Sequence, residues 1–136
     1  MADRMLVAGE AAGDALVLDE PLSMWGGLDP KTGEIIDRRH PQSGSVVTGR
    51  VLVMPVGRGS SSASSVLAEA IRLGTAPAAI VLAEPDGIIA VGAIVAREMY
   101  GRAMPVVVTD EERYRAIGDG QRVEIGPQGL LGTAMA

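Results

Sequence analysis

Between residues 51 and 82 the chain reads as strand, hinged turn, helix and strand, and this succession constrains the fold more than any other stretch. Val51-Leu52-Val53-Met54-Pro55-Val56 is an unbroken apolar run of strand length, the mark of a strand buried on both faces. Gly57-Arg58-Gly59-Ser60-Ser61-Ser62-Ala63-Ser64-Ser65 follows, and its glycines let the backbone turn tightly. Ala63, Val66, Leu67, Ala70 and Ile71 then recur at helical spacing, with Ser60 to Ser62 as N-cap candidates and Gly74 as the natural stop. Ala79-Ile80-Val81-Leu82 is a second buried strand. A strand, a helix and a strand in that order predict a right-handed crossover and a parallel pair.

The flanking segments give mixed α/β character. Met5 to Ala8 and Ala15 to Leu18 read as short strands joined by a turn over Gly9 to Asp14, and the turn-rich first third suggests antiparallel or barrel-like pairing. Pro21 to Gly33 is loop chemistry, Glu34 to Asp37 a brief strand, and Arg38 to Gly44 a polar surface loop. Ile88 to Tyr100 is ambiguous: a strand edge followed by a helix over Ala93 to Tyr100 is the reading adopted. Pro105 to Val108 is a strand, Asp110 to Ile117 a short helix, Arg122 to Ile125 a half-buried strand, and Gln128 to Ala136 weakly specified. With 136 residues, 47% of them hydrophobic, and no long linker, one domain over residues 1–136 is expected. Aromatics make up only 2%, so the core must be built from Val, Ile, Leu, Ala and Met.

Composition also narrows function. A net charge of −5 argues against nucleic acid or an anionic membrane as partner. No segment reads as an export signal or a membrane span, so a cytoplasmic location is expected. With no Cys and one His, the chain lacks the donors for a zinc or iron–sulfur site of its own, and Glu69, Glu84 and Asp86 read as solvated carboxylates.

What stands out is the serine loop. Helix-start N–H groups, serine hydroxyls and Arg58 suit a carboxylate or phosphate, and one hydroxyl there is a candidate for chemistry; the plainer reading is a well-capped helix start. The loop lacks the Gly-Lys-Ser/Thr of a nucleotide-binding loop and the Gly-x-Ser-x-Gly of a hydrolase elbow. His40 is the sole imidazole, with Asp37 three residues before it, but a histidine beside proline in a polar loop reads as a surface or contact residue rather than the base of a triad. Trp25, used once and followed by Gly26 and Gly27, is either a plug for a barrel end or an anchor for a partner.

Together these segments resemble a known family. Pro21-Leu22-Ser23-x-Trp25-Gly26-Gly27-x-Asp29-Pro30-x-Thr32-Gly33, Arg39-His40-Pro41, Gly57-Arg58-Gly59-Ser60-Ser61-Ser62 and Ala76-Pro77-x-Ala79-Ile80-Val81 occur in the order and spacing of the small subunit, or swivel domain, of aconitase X. The resemblance runs from about residue 5 to 125. It implies the swivelling β/β/α fold with β-barrel character, and a hydro-lyase built from this subunit and a large subunit that carries an iron or iron–sulfur centre. Two activities are known in the family: dehydration of cis-3-hydroxy-L-proline and of (R)-5-phosphomevalonate. In both, a serine of the glycine–serine loop is taken as the base that removes a proton alpha to a carboxylate. On this chain that base is Ser60, with Ser61 as competitor, while Arg58, Gly59, Ser61 and Ser62 would shape the substrate pocket. Trp25, Gly26, Gly27 and His40 would belong to the subunit face or the mouth of the site. The phosphomevalonate branch carries Gly-Ser-Thr-Val-Gly-Ser where this chain has Gly59-Ser60-Ser61-Ser62-Ala63-Ser64, which favours the hydroxyproline branch. The rival from another class is a non-catalytic anion-binding module using the same loop.

A serine hydroxyl is a poor base at neutral pH. Lowering its pKa by roughly six units needs about 8 kcal/mol, at about 1.36 kcal/mol per unit. A helix N-terminus contributes about 0.3–1 kcal/mol, and about 2 kcal/mol when partly buried. Arg58 would add to this if close and desolvated. The local terms fall short, so the expectation is a chain inactive without its large subunit.

Overall fold

The structure, a computed structural model, describes residues 3–58 and 61–134. In chain order the elements are β1 (Arg4–Val7), β2 (Ala11–Val17), a single turn α1 (Met24–Gly27), β3 (Val51–Met54), α2 (Ser62–Leu73), β4 (Ala79–Leu82), α3 (Gly87–Tyr100), β5 (Val106–Val108), α4 (Glu111–Ala116), β6 (Arg122–Gly126) and β7 (Gly129–Ala134).

The parallel pair read from the sequence is present: β3 runs parallel to β4, Val51 opposite Ala79 through Met54 opposite Leu82. β5 extends this layer in parallel beyond β4, and β2 does so beyond β3. The full order is β1-β5-β4-β3-β2-β6-β7, with β1, β6 and β7 joined antiparallel. This is a mixed sheet of seven strands curled into a nearly closed barrel. Alternation along the central strands explains why their apolar runs are unbroken. Leu52, Met54, Ile80, Leu82 and Val106 pack under α2 and α3 with Leu67, Ala70, Ile71, Ile89 and Ala93. Val51, Val53, Ala79, Val81 and Val107 point the other way, into a second core closed by Val123 and Ile125 of β6 and by Ile117.

The barrel's seam is held by one carboxylate. Asp3, its side chain only 2% exposed, accepts hydrogen bonds from the Thr109 hydroxyl at 2.7 Å, Arg113 Nη1 at 2.8 Å and the Leu130 N–H at 2.8 Å. It thereby ties the entry to β1, the end of β5, α4 and β7 together.

Three sequence expectations change here. The turn expected over Gly9 to Asp14 is strand from Ala11 onward, because Ala11 to Asp14 pair with β6, more than a hundred residues away. Ile88 to Tyr100 is helix throughout: Asp86 caps α3, its carboxylate accepting from the Ile88 and Ile89 N–H groups, so the apolar run that suggested a strand edge enters a helix at once. The weakly specified tail forms β7 by folding back on β6. Among the described residues no helix is long and apolar enough to cross a membrane.

Candidate functional site

The parallel strands β3, β4 and β5 all end at the same side of the sheet, and in such sheets the crevice beyond the strand ends is where ligands sit. Here β3 leads into the serine loop, and β4 into Ala83-Glu84-Pro85-Asp86 and the start of α3. The two loops are stitched together, since the N–H groups of Ala83 and Glu84 both donate to the Pro55 carbonyl at 3.0 Å. α2 and α3 therefore begin beside each other. Between their first turns lies an open groove of about 520 Å³, lined by Ser61 and Ser64 on one side and Asp86, Gly87, Ile88 and Val91 on the other.

Gly59 and Ser60, the centre of the loop, lie outside the described residues. Gly57 N–H donates to Asp86 Oδ2 at 2.9 Å, and Arg58 N–H to the Leu22 carbonyl at 3.2 Å. Ser61 stands at the N-cap position, but its side chain caps nothing; its carbonyl accepts from the Ser64 hydroxyl at 2.7 Å. Ser61 and Ser62 are both exposed. The Ser61 hydroxyl is not absorbed by capping α2, whereas Ser60, the cap candidate before it, lies outside the described residues.

Arg58 is exposed, with 56% of its side chain accessible, and faces Glu20 at 3.7 Å. It is not desolvated, and a carboxylate offsets its charge, so its help to a neighbouring hydroxyl is small. The deficit in acidifying a serine is larger than the sequence alone indicated.

The contact from Arg58 to Leu22 brings the tryptophan segment to the same end of the molecule, beside the start of α2. Leu22 and Met24 are buried, whereas Trp25 is 60% exposed, so it does not plug the barrel. Gly26 follows in the left-handed region, at φ +77°, with open space where a Cβ would stand. Gly27 is buried, and a Cβ there would meet Leu22 Cδ1 at 2.9 Å.

His40 departs from its expected place in a surface loop. It is 3% exposed. Nδ1 accepts from the Gln42 N–H at 3.0 Å, which leaves Nε2 carrying the proton that goes to the Glu20 carbonyl at 3.0 Å. Both ring nitrogens are committed to holding the 20–42 segment together, and Asp37 bonds the Arg39 N–H rather than the ring. Asp86 is likewise no solvated carboxylate: it is the residue that sequence reasoning missed. The signal was available, since Asp directly before Gly87-Ile88-Ile89 is an N-cap pattern.

The residues present do not fit an iron or iron–sulfur centre. There is no Cys, the one His is engaged at both nitrogens, and no three His, Asp or Glu converge on a point among the described residues.

Comparisons with known proteins agree with this fold. The family model for the aconitase X swivel domain matches residues 1–132. Cis-3-hydroxy-L-proline dehydratase of Pseudomonas aeruginosa is 55% identical over 108 residues; the match covers 79% of this chain but only 19% of that protein, so the chain spans about a fifth of its length. The phosphomevalonate dehydratase small subunit of Pyrococcus furiosus is 43% identical over 135 residues, covering 94% of this chain and 96% of that one. The crystal structure of Thermococcus kodakaraensis aconitase X superposes with a TM-score of 0.87 at 30% identity, over 98% of this chain and 97% of that chain. A loop of serines at the strand ends, a barrel of this strand order and these matches establish that the chain belongs to the aconitase X swivel-domain family.

Proposed function

We propose that this chain is the small, swivel-domain subunit of an aconitase-X-type dehydratase, and that its substrate is cis-3-hydroxy-L-proline. The observation that carries this reading is the groove between the first turns of α2 and α3, open to solvent and bordered by Ser64 and by Ser61, whose side chain caps nothing. Such a groove is half of a site. It supplies N–H donors and hydroxyls for an anion, and leaves a face for another protein to cover.

In this reading Ser60 takes the proton alpha to the substrate carboxylate, and Arg58, Gly59, Ser61 and Ser62 shape the pocket around the anion. Trp25, Gly26 and Gly27 stand at the subunit face. The iron or iron–sulfur centre belongs to the large subunit, because this chain has no Cys and no metal-ligand group converges among its described residues. Hydroxyproline is favoured by the 55% identity to the Pseudomonas aeruginosa dehydratase and by the Ser60-Ser61-Ser62 run. The second reading, a phosphomevalonate dehydratase small subunit, is supported by the near end-to-end match to the Pyrococcus furiosus protein.

Reconstitution with the large subunit decides between them. The complex should dehydrate cis-3-hydroxy-L-proline, and this chain alone should dehydrate nothing. Ser60→Ala should lower kcat by about two orders of magnitude or more, the range typical of a lost general base, while the complex still assembles. Turnover of phosphomevalonate instead would select the second reading. Binding of carboxylates or phosphates without turnover of either substrate would leave the anion-binding module.

A further inference from the structure

We infer that Asp86 is a positioning residue for the serine loop, acting through the Gly57 amide; the inference rests on the site proposed above. One carboxylate does two tasks here. Oδ1 accepts from the Ile88 and Ile89 N–H groups at 2.9 and 3.1 Å and so caps α3. Oδ2 reaches the other way and accepts from the Gly57 N–H at 2.9 Å. With three backbone donors the charge is spent on the main chain, and the side chain bridges the start of α3 to the loop after β3.

The space around Gly57 fits this role. A Cβ at that position would stand 2.5 Å from Asp86 Oδ2 and 2.9 Å from Ile89 Cδ1, so only glycine lets the loop come close enough to be tethered. On the far side, the Arg58 N–H is fixed to the Leu22 carbonyl. The loop therefore leaves β3 from two anchored residues, and Ser60 follows two positions after the second. A shift of about 1 Å in a reacting group can cost on the order of a hundred-fold in rate. The two anchors fix where the chain leaves β3 for the serine loop, although Asp86 itself need not touch substrate.

Asp86→Asn separates the two tasks. Asparagine caps helices about as well as aspartate. Facing two donors at Ile88 and Ile89, its amide oxygen takes the place of Oδ1, and its NH₂ group then meets the Gly57 N–H donor against donor. In the isolated chain, exchange of the Gly57 amide proton should accelerate on the order of ten- to a hundred-fold, the worth of a hydrogen bond to a charged acceptor. The Ile88 and Ile89 amides should stay far better protected than Gly57, and the melting temperature should fall by only the few degrees that loss of this one bond accounts for. In the complex, kcat should fall by about ten-fold or more with KM nearly unchanged, as expected for misplacement of a reacting group. If Asp86→Asn does not fold, Asp86→Ser carries the same readouts, since serine caps but is too short to reach Gly57. Unchanged exchange at Gly57 would overturn the tether, and faster exchange with unchanged kcat would overturn its positioning role. A wild-type complex inert on both candidate substrates would instead sink the proposed function, and the Gly57 amide would then decide the inference alone.

Discussion

At the scale of single residues, the informative side chains are those whose partners lie far off in sequence. His40 and Asp86 each read as ordinary surface groups in the sequence, and each, like Asp3, is fixed by backbone brought from another part of the chain. No local pattern reveals that Glu20 will present its carbonyl to the His40 ring. Tyr114 carries a residue-scale prediction of a different kind. Burial pushes its phenol from the ordinary 10.0 up to about 12. The folded chain then holds a proton that the unfolded chain has given up, so this stability is whole below about pH 10 and drains as pH rises towards 12. Urea midpoints measured across that window should fall for the wild type, and the fall should be shallower in Tyr114→Phe. Parallel slopes would show that the phenol is not the cause.

At the scale of elements, the packing of α2 on α3 depends on a missing side chain. A Cβ at Gly92 would stand 2.8 Å from the Ser64 carbonyl oxygen and 3.2 Å from Ser64 Cα, both backbone atoms that cannot swing aside. Gly92→Val should therefore force the helices apart, with a loss of about 1–3 kcal/mol typical of overpacking, read as a lower denaturant midpoint. Because Ser64 also borders the groove, the same variant should disturb the site before it unfolds the barrel. Elements whose signals are local were legible in the sequence. β3, α2 and β4 announce themselves by apolar runs, helical spacing and a Gly74 stop that does adopt the left-handed conformation, at φ +79°. The start of α3 was not, since Ile88-Ile89-Ala90-Val91 suits strand or helix alike until the Asp86 cap is counted. β7 was invisible because its strand character comes from pairing with β6 rather than from propensity. For the candidate site, the serine loop and tryptophan segment could be picked out from residue types, but their proximity could not, because it depends on Arg58 meeting Leu22.

At the scale of the whole molecule, two surfaces have separable duties. Trp25 stands 60% exposed near the groove, so Trp25→Ala should leave the melting temperature unchanged. If it anchors the large subunit, the variant should weaken assembly by about thirty-fold or more, the usual worth of a buried interface tryptophan. Titration of the large subunit with each form measures this; equal affinities would return Trp25 to the free surface. Asp3 governs the opposite concern, the integrity of the seam. Asp3→Ala strands the Leu130 N–H, the Thr109 hydroxyl and Arg113, and should cost about 1–3 kcal/mol in urea unfolding. The seam also ranks the parts of the barrel by durability. β2 pairs with β6 along its first half and with β3 along its second, so the β6–β7 ribbon joins the parallel layer through half a strand, the Asp3 and Arg113 bonds to Leu130, and the packing of Val123 and Ile125. That ribbon should be the first piece to peel away and the first a protease cuts, which sets the lifetime of the molecule at its rim while Leu52, Met54, Ile80 and Leu82 beneath α2 and α3 stay covered.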